Sequence, residues 1–359
     1  MKVQQLFLRN VRSIKSLDLD FRDPVTGKPM SRIVLAGANG SGKTTILECL
    51  FELLSAAGRY GEARVKFPSY FLDAYLKLIF EVDFPGNMSA ILSVSYGADE
   101  QTRSDIPGGQ RRQLKDRASR YEYLETLSKD APEAPTSRFN QLTEMIGRAA
   151  NREGEGVGSI LYFPHSRSLP AIPQGELGFE PKLYQWTYKY EAWGEWKGSI
   201  ESYLFSLNYL DLEDRDRRMT ANRFGQTVEL VNSILVDKRI ARIEKGRVVV
   251  ETTSGQTHGL NDLSSGEKQL VLMLIEIARR VVPGSVILID EPEISLHPTW
   301  QRGLFAALDK IIEQYDAQVI LATHSLEIAT SVMPEEVISL SDLDNLPRGE
   351  WKPEKEALG

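Results

Sequence analysis

Four short motifs follow one another along the 359-residue chain, and their residue types are those of phosphate chemistry. The first is Gly37-Ala38-Asn39-Gly40-Ser41-Gly42-Lys43-Thr44, with Thr45 after it. Its spacing fits G-x-x-x-x-G-K-[ST]. In that pattern glycines let backbone N–H groups curl around a polyphosphate, the lysine reaches the outer phosphates and the hydroxyl faces a magnesium ion. Far downstream come Leu263-Ser264-Ser265-Gly266-Glu267, then Val286-Ile287-Leu288-Ile289-Asp290-Glu291-Pro292, then Ile320-Leu321-Ala322-Thr323-His324-Ser325. They supply what such a loop lacks: a second phosphate contact, a magnesium carboxylate, a carboxylate to position water, and a phosphate-sensing histidine.

Each motif alone has a plainer reading. The glycine run could be a turn, Asp290-Glu291 could be surface acids after a strand, and His324 could be a structural histidine. Ser264 or Ser265 could simply cap a helix. Their joint order favours an ATP-hydrolysing site. The candidate nucleotide contacts are then Asn39, Gly40, Ser41, Gly42, Lys43, Thr44 and Thr45, with Ser264, Ser265, Gly266 and Glu267 as the second phosphate contact. Thr44 and Asp290 are the candidate Mg²⁺ ligands, and Lys43, Glu291 and His324 the candidate catalytic groups.

These residues need particular elements to hold them. The apolar run Ile33-Val34-Leu35-Ala36 predicts a buried strand entering the glycine loop, and Ile46, Leu47, Leu50, Leu53 and Leu54 have helical spacing after it. Val286 to Ile289 and Val319 to Ala322 predict two more buried strands. In an open α/β sheet ligands gather beyond the carboxyl ends of the strands, so the three motifs that follow strands should converge on one edge. Elsewhere the pattern predicts a strand pair near residues 3–21, antiparallel strands at 75–84 and 90–96, and a strand at 159–163. A hairpin should turn at Lys245-Gly246, and helices should cover 197–212, 227–236, 265–282 and 298–315. Residues 101–156 turn charged and small, with Ala131-Pro132-Glu133-Ala134-Pro135 inside, and read as a helical insertion with a kink.

Bulk composition narrows the class. Hydrophobic residues make up 42% and charged residues 26%, as in an ordinary globular protein. No stretch approaches 18 consecutive apolar residues, and the first 21 show no basic head before an apolar run, so neither a membrane span nor a signal peptide is expected. The single cysteine, Cys49, excludes an internal disulfide and a thiolate zinc cluster, which fits a reducing cytoplasm and a core position on the first helix. A net charge of −7 argues against a broadly basic nucleic-acid binder. Local basic clusters at Arg111, Arg112, Lys115, Arg117 and Arg120, at Arg215, Arg217 and Arg218, and at Lys238, Arg239 and Arg242 read as solvated helical faces or as phosphate-contacting patches. The aromatic cluster Tyr184, Trp186, Tyr188, Tyr190, Trp193 and Trp196 reads as packing of the helical lobe onto the sheet or as a partner-docking surface.

With these motifs in view, the chain resembles the ABC-type ATPase heads of the SMC-like kind, above all the prokaryotic OLD-like ATPases. The resemblance rests on Leu6-Phe7-Leu8-Arg9-Asn10-Val11-Arg12-Ser13-Ile14, the glycine loop, the Leu263-to-Gln269 signature, and Asp290-Glu291-Pro292-Glu293-Ile294-Ser295-Leu296-His297-Pro298. It implies an α/β fold of P-loop NTPase, ABC/SMC-head type: a mixed sheet core with an antiparallel β subdomain and a helical insertion lobe. The expected domains are 1–100 with the phosphate loop, 101–258 as insertion and lid, 259–345 with signature and switch histidine, and a polar tail at 346–359. It further implies ATP and Mg²⁺ as cofactors, and two heads bound head to tail, with Ser264 and Gly266 of one touching the phosphate held by Lys43 of the other. His297 would lie at that seam. In such families a glutamine usually follows the strand before the helical region and contacts the metal. Here Pro164-His165-Ser166-Arg167 follows instead, and Arg167 is the candidate substitute.

The expected partners are a second copy of the chain and a separate effector such as a nuclease or toxin, as in antiphage defence. Nucleic acid is a further candidate and a membrane is not. The charged insertion is too short for a long coiled coil, and the chain ends too soon after its last strand for an appended nuclease domain, so cutting would fall to a partner. A DNA-repair clamp and the ATPase subunit of a transporter are the alternatives. The Leu296-His297 pair, where transporter ATPases carry leucine-aspartate, speaks against the last.

Overall fold

A computed structural model describes residues 1–62, 68–71, 73–84, 88–97, 110–115, 121–127, 137–151, 156–165, 184–190, 200–216, 222–293, 296 and 298–340. The chain begins with strands β1 (Lys2–Val11), β2 (Ile14–Asp20) and β3 (Arg32–Ala36), then helix α1 (Lys43–Ala57). Four strands follow, β4 (Tyr75–Phe84), β5 (Met88–Tyr96), β6 (Gln110–Lys115) and β7 (Tyr121–Leu127), then α2 (Arg138–Ala150) and β8 (Ile160–Phe163). Next come β9 (Thr187–Lys189), α3 (Ile200–Asp216), α4 (Arg223–Asn232), β10 (Lys238–Glu244), β11 (Arg247–Thr252) and β12 (Thr257–His258). The last part holds α5 (Ser265–Arg280), β13 (Val286–Asp290), α6 (Pro298–Tyr315), β14 (Gln318–Thr323), α7 (Leu326–Thr330) and β15 (Val337–Ser339).

The strands form one antiparallel sheet, in the order β2-β1-β4-β5-β7-β6, one parallel sheet, in the order β15-β3-β14-β13-β8-β9, and a small sheet of β10, β11 and β12. Successive side chains of a strand point to opposite faces, so each parallel strand feeds two cores. Ile33, Leu35, Leu288 and Ile320 join α1 and the antiparallel sheet, whereas Val34, Ile287, Ile289, Val319 and Leu321 join helices α3 to α6. Helix α1 therefore lies between the two sheets, which is why Ile46, Leu47, Cys49, Leu50, Leu53, Leu54 and Ala57 are all fully buried. Truncating one of its core leucines to alanine should cost about 2–5 kcal/mol. At the β10–β11 hairpin Lys245 (φ +48°) and Gly246 (φ +73°) are both left-handed, the geometry of a two-residue turn that matches the twist of its strands.

Residues 101–156, read as a helical insertion, hold two strands and one helix among the described residues. β6 and β7 extend the antiparallel sheet, with Leu92 paired to Glu125 and Tyr96 to Tyr121. The reason is a period-two pattern masked by charge: Tyr121, Tyr123 and Glu125 are buried on one face, and Glu125 Oε2 accepts the Arg138 N–H at 2.7 Å, where α2 begins. Arg111, Arg112 and Lys115 accordingly sit on the edge strand β6 rather than on a helix. Arg117 and Arg120 lie outside the described residues, as does the segment after Leu340.

Candidate functional site

Strand register puts four strand ends level. Ala36 of β3 is opposite Thr323 of β14, Ala322 opposite Asp290 of β13, and Ile289 opposite Phe163 of β8. At roughly 4.8 Å between neighbours, the loops leaving these ends span only about 15 Å. The glycine loop, Asp290 with Glu291, His324 and the Pro164-His165 step thus share the single sheet edge that the sequence pattern predicts.

The loop between β3 and α1 is shaped for close backbone approach. Gly40 (φ +84°) and Gly42 (φ +91°) take left-handed conformations, and a Cβ built on Gly37 would stand 2.7 Å from Ser41 Oγ. Ala38, Asn39 and Gly40 are exposed at its mouth, while Lys43 and Thr45 are buried. The Lys43 ammonium donates to the carbonyls of Gly37 and Ala38, both at 2.8 Å. A buried lysine whose bonds among the described residues go to its own loop's carbonyls supplies a cation to an incoming anion at small rearrangement cost, and the start of α1 adds the positive end of a helix. Ser41 Oγ is buried with no hydrogen-bond partner among the described residues, a free hydroxyl in the same cradle.

Deeper in the site, Thr44 Oγ1 donates to Asp290 Oδ2 at 2.8 Å. Asp290 is fully buried; burial pushes its carboxyl above the usual range, while the Thr44 hydroxyl and the His165 imidazole pull it back. A hydroxyl beside a buried carboxylate is an oxygen donor set that suits Mg²⁺, which takes one or two protein oxygens and completes its shell with phosphates and water. Among the described residues no group of three or more His, Cys, Asp or Glu could hold a metal without such help. His165 Nδ1 lies 3.3 Å from Asp290 Oδ2. Sequence reasoning passed over it in favour of Arg167, which lies outside the described residues. A signal existed: His165 stands two residues beyond β8, at the sheet edge where the missing glutamine would be.

Asp290 and Glu291 diverge for a reason other than strand alternation. β13 ends at Asp290, and Glu291 takes a left-handed φ of +47° while its N–H donates to the Ala322 carbonyl at 2.8 Å. A non-glycine residue in this conformation is strained and is held there by its surroundings. The turn leaves the Glu291 carboxylate partly exposed, on the side of His324, whose Nδ1 is 3.7 Å from Glu291 Oε1. A second carboxylate, Glu293, is closer: its Oε1 lies 3.1 Å from His324 Nδ1.

The signature residues form a different kind of site. Ser264 caps α5, and the reciprocal capping box closes when Glu267 Oε2 accepts from both the N–H and the hydroxyl of Ser264 at 2.8 Å. Lys238 Nζ adds an ion pair to the same oxygen at 2.9 Å. Burial raises the Glu267 carboxyl, but these donors outweigh it and hold the group below the ordinary glutamate range. Ser264 and Ser265 are exposed and Gly266 is buried. Among the described residues no hydrogen bond or ion pair joins Ser264–Glu267 to the glycine loop.

Other candidates resolve as packing. Trp186 is buried and its indole N–H donates to the Leu54 carbonyl at 3.2 Å; a Cβ on Gly58 would strike its ring at 2.1 Å, so α1 ends on a glycine there. Tyr188 bonds Glu276 and lies under the Arg280 guanidinium, 3.8 Å from the ring centroid. These aromatics dock strand β9 and α5 onto the core rather than forming an exposed surface, and Trp193 and Trp196 lie outside the described residues. In the third basic cluster each cation already has an acid: Lys238 has Glu267, Arg239 has Glu251 and Arg242 has Glu244. Arg217, Arg218 and His297 are outside the described residues.

Two family models match the chain, one described as "AAA domain" over residues 5–180 and one described as "AAA domain, putative AbiEii toxin, Type IV TA system" over residues 195–330. The first spans the glycine loop, and the second spans the signature, Asp290, Glu291 and His324. The chain is similar to "Retron Vc95 probable ATPase" of Vibrio cholerae serotype O1 biovar El Tor, with 30% identity over 162 residues, 41% of this chain and 31% of the relative. It is also similar to "DNA double-strand break repair Rad50 ATPase" of Methanosarcina mazei, with 45% identity over 51 residues, 14% of this chain and 4% of the relative. The match therefore spans under a third of the first relative's length and a small part of the second. Among solved structures, the SMC head domain from Thermotoga maritima superposes with a TM-score of 0.46 at 14% identity, covering 94% of each chain.

Proposed function

We propose that this chain is an AAA-type ATPase of the SMC-like and OLD-like group and that it works as an ATP-gated dimer. In this reading two copies close head to tail around two ATP molecules, and the closed state controls a separate effector, such as a nuclease or toxin, in a cytoplasmic prokaryotic defence assembly. One observation carries the dimer: Ser264 and Ser265 are exposed at the start of α5, and among the described residues no bond joins them to their own glycine loop. A second copy can bring that helix start, with its positive end, to a phosphate held by the first.

The chain's residues divide the work of ATP hydrolysis. The backbone of the glycine loop and the Lys43 ammonium bind the β- and γ-phosphates. Thr44 and Asp290 would hold the Mg²⁺, which when bound supplies charge neutralisation across the phosphate oxygens. His165, bonded to Asp290 Oδ2, fixes that carboxylate in place of the usual glutamine. Glu291 orients the attacking water and accepts its proton, so ATP and water give ADP and phosphate. His324 faces the γ-phosphate and reports its loss, and the dimer opens.

Likeness to a retron ATPase supports the effector-controlling role, and among the described residues no helix is long and apolar enough to cross a membrane. The clamp reading draws on the short likeness to a double-strand-break-repair ATPase, but the cations of the 238–242 cluster are already neutralised by acids. Purifying tagged Glu291→Gln with ATP from its native cells tests the assignment. A co-purifying nuclease or other soluble effector supports it, and a membrane-embedded subunit contradicts it.

A further inference from the structure

We propose that Glu293 is the positioning residue for His324: it fixes the imidazole with its proton on Nδ1 and so turns Nε2 toward the nucleotide. The inference rests on the reading that His324 faces the γ-phosphate and adds the group that makes it do so. Glu293 is nearly fully buried, with only 6% of its side chain exposed. Its Oε1 accepts two bonds, from Thr323 Oγ1 at 2.7 Å and from the His324 N–H at 2.9 Å, and lies within ion-pair distance of His324 Nδ1 at 3.1 Å. Thr323 Oγ1 in turn accepts the Ser325 N–H at 2.9 Å, so one carboxylate oxygen pins three consecutive residues at the end of β14.

The arrangement leaves the imidazole little choice. A carboxylate only accepts, so the nitrogen facing it must carry hydrogen, and the other ring nitrogen is left for a second partner. Glu291 is farther from Nδ1, at 3.7 Å, so Glu293 is the nearer of the two carboxylates to the ring. A buried carboxylate is costly unless its bonds are well made, and the second oxygen of Glu293 has no hydrogen-bond partner among the described residues. That cost is retained at a position where a neutral side chain would pack, and what it secures is the orientation of an exposed histidine.

The test combines spectroscopy with a double-mutant cycle. The chain has four histidines, so single substitutions assign each imidazole in long-range ¹H–¹⁵N spectra. His324 should carry its proton on Nδ1 in the wild type and in Glu293→Gln, which keeps an acceptor oxygen, and should lose that preference in Glu293→Ala. Partners that orient a functional imidazole typically matter by about 10- to 100-fold, so Glu293→Ala should lower kcat by that factor with KM within about 2-fold. In a His324→Ala background the same change should cost nothing further. Additive losses in the double variant, or a wild-type ring protonated on Nε2, would overturn the proposal. His324→Ala hydrolysing ATP at the wild-type rate would instead overturn the reading of His324 itself, whatever Glu293 does.

Discussion

His165 Nδ1 and Asp290 Oδ2 are 3.3 Å apart, across the junction of two parallel strands whose ends are in register. The contact sets an imidazole against the carboxylate proposed to hold the metal. Second partners of this kind typically change metal affinity or turnover by about 10- to 100-fold when removed. His165→Ala should therefore raise the Mg²⁺ concentration needed for half-maximal ATPase activity by that factor, measured by titration at saturating ATP. His165→Gln should recover most of the loss, and an unchanged Mg²⁺ dependence in His165→Ala would remove the residue from the site.

Ser264→Arg should block ATP-dependent association while leaving ATP binding by the single chain intact. The substitution sets a cation and a long side chain at the positive start of α5, where the proposed partner phosphate must approach. Sedimentation with ATP should return single-chain mass for the variant, and a nucleotide-binding titration should match the wild type. A variant that still pairs on ATP would show that the signature does not form the seam.

Acid sensitivity of the signature helix follows from Glu267. Burial opposes its ionisation, yet the Lys238 ammonium and the Ser264 donors leave its folded pKa below the unfolded value near 4.3. A depressed carboxylate stabilises the fold above the unfolded pKa and loses that contribution as pH falls through the folded one. The Tm difference between wild type and Lys238→Met should thus be full at neutral pH and shrink below about pH 4. A difference that stays constant through this range would mean that the pair does not set the Glu267 charge.

Much of this site was legible because its motifs sit where local patterns are clean. Pro298–Tyr315 is the helix that its spacing predicts, and the apolar runs before Gly37, Asp290 and His324 are the parallel strands β3, β13 and β14. β6 and β7 were not legible, since their charged composition hid an alternation that only pairing with β5 makes decisive. The short strands β9 and β15 owe their existence to a neighbouring strand rather than to their own pattern. Glu293 and His165 escaped notice because each is a single polar residue whose role depends on a partner more than 30 or 100 residues away. The direction of Glu291 comes from a left-handed turn that no pattern announces.

In the proposed cycle ATP closes two copies of this chain and hydrolysis through Glu291 releases them. Glu291→Gln keeps the glycine loop, Lys43, Thr44 and Asp290 and removes the proposed general base, so turnover should fall by roughly 10²- to 10⁴-fold. Light scattering of this variant with ATP and Mg²⁺ is the direct test. The account predicts a particle of twice the chain's mass that persists with ATP and falls apart with ADP. A single-chain mass at ATP concentrations that saturate binding, or turnover near the wild-type rate, would contradict it.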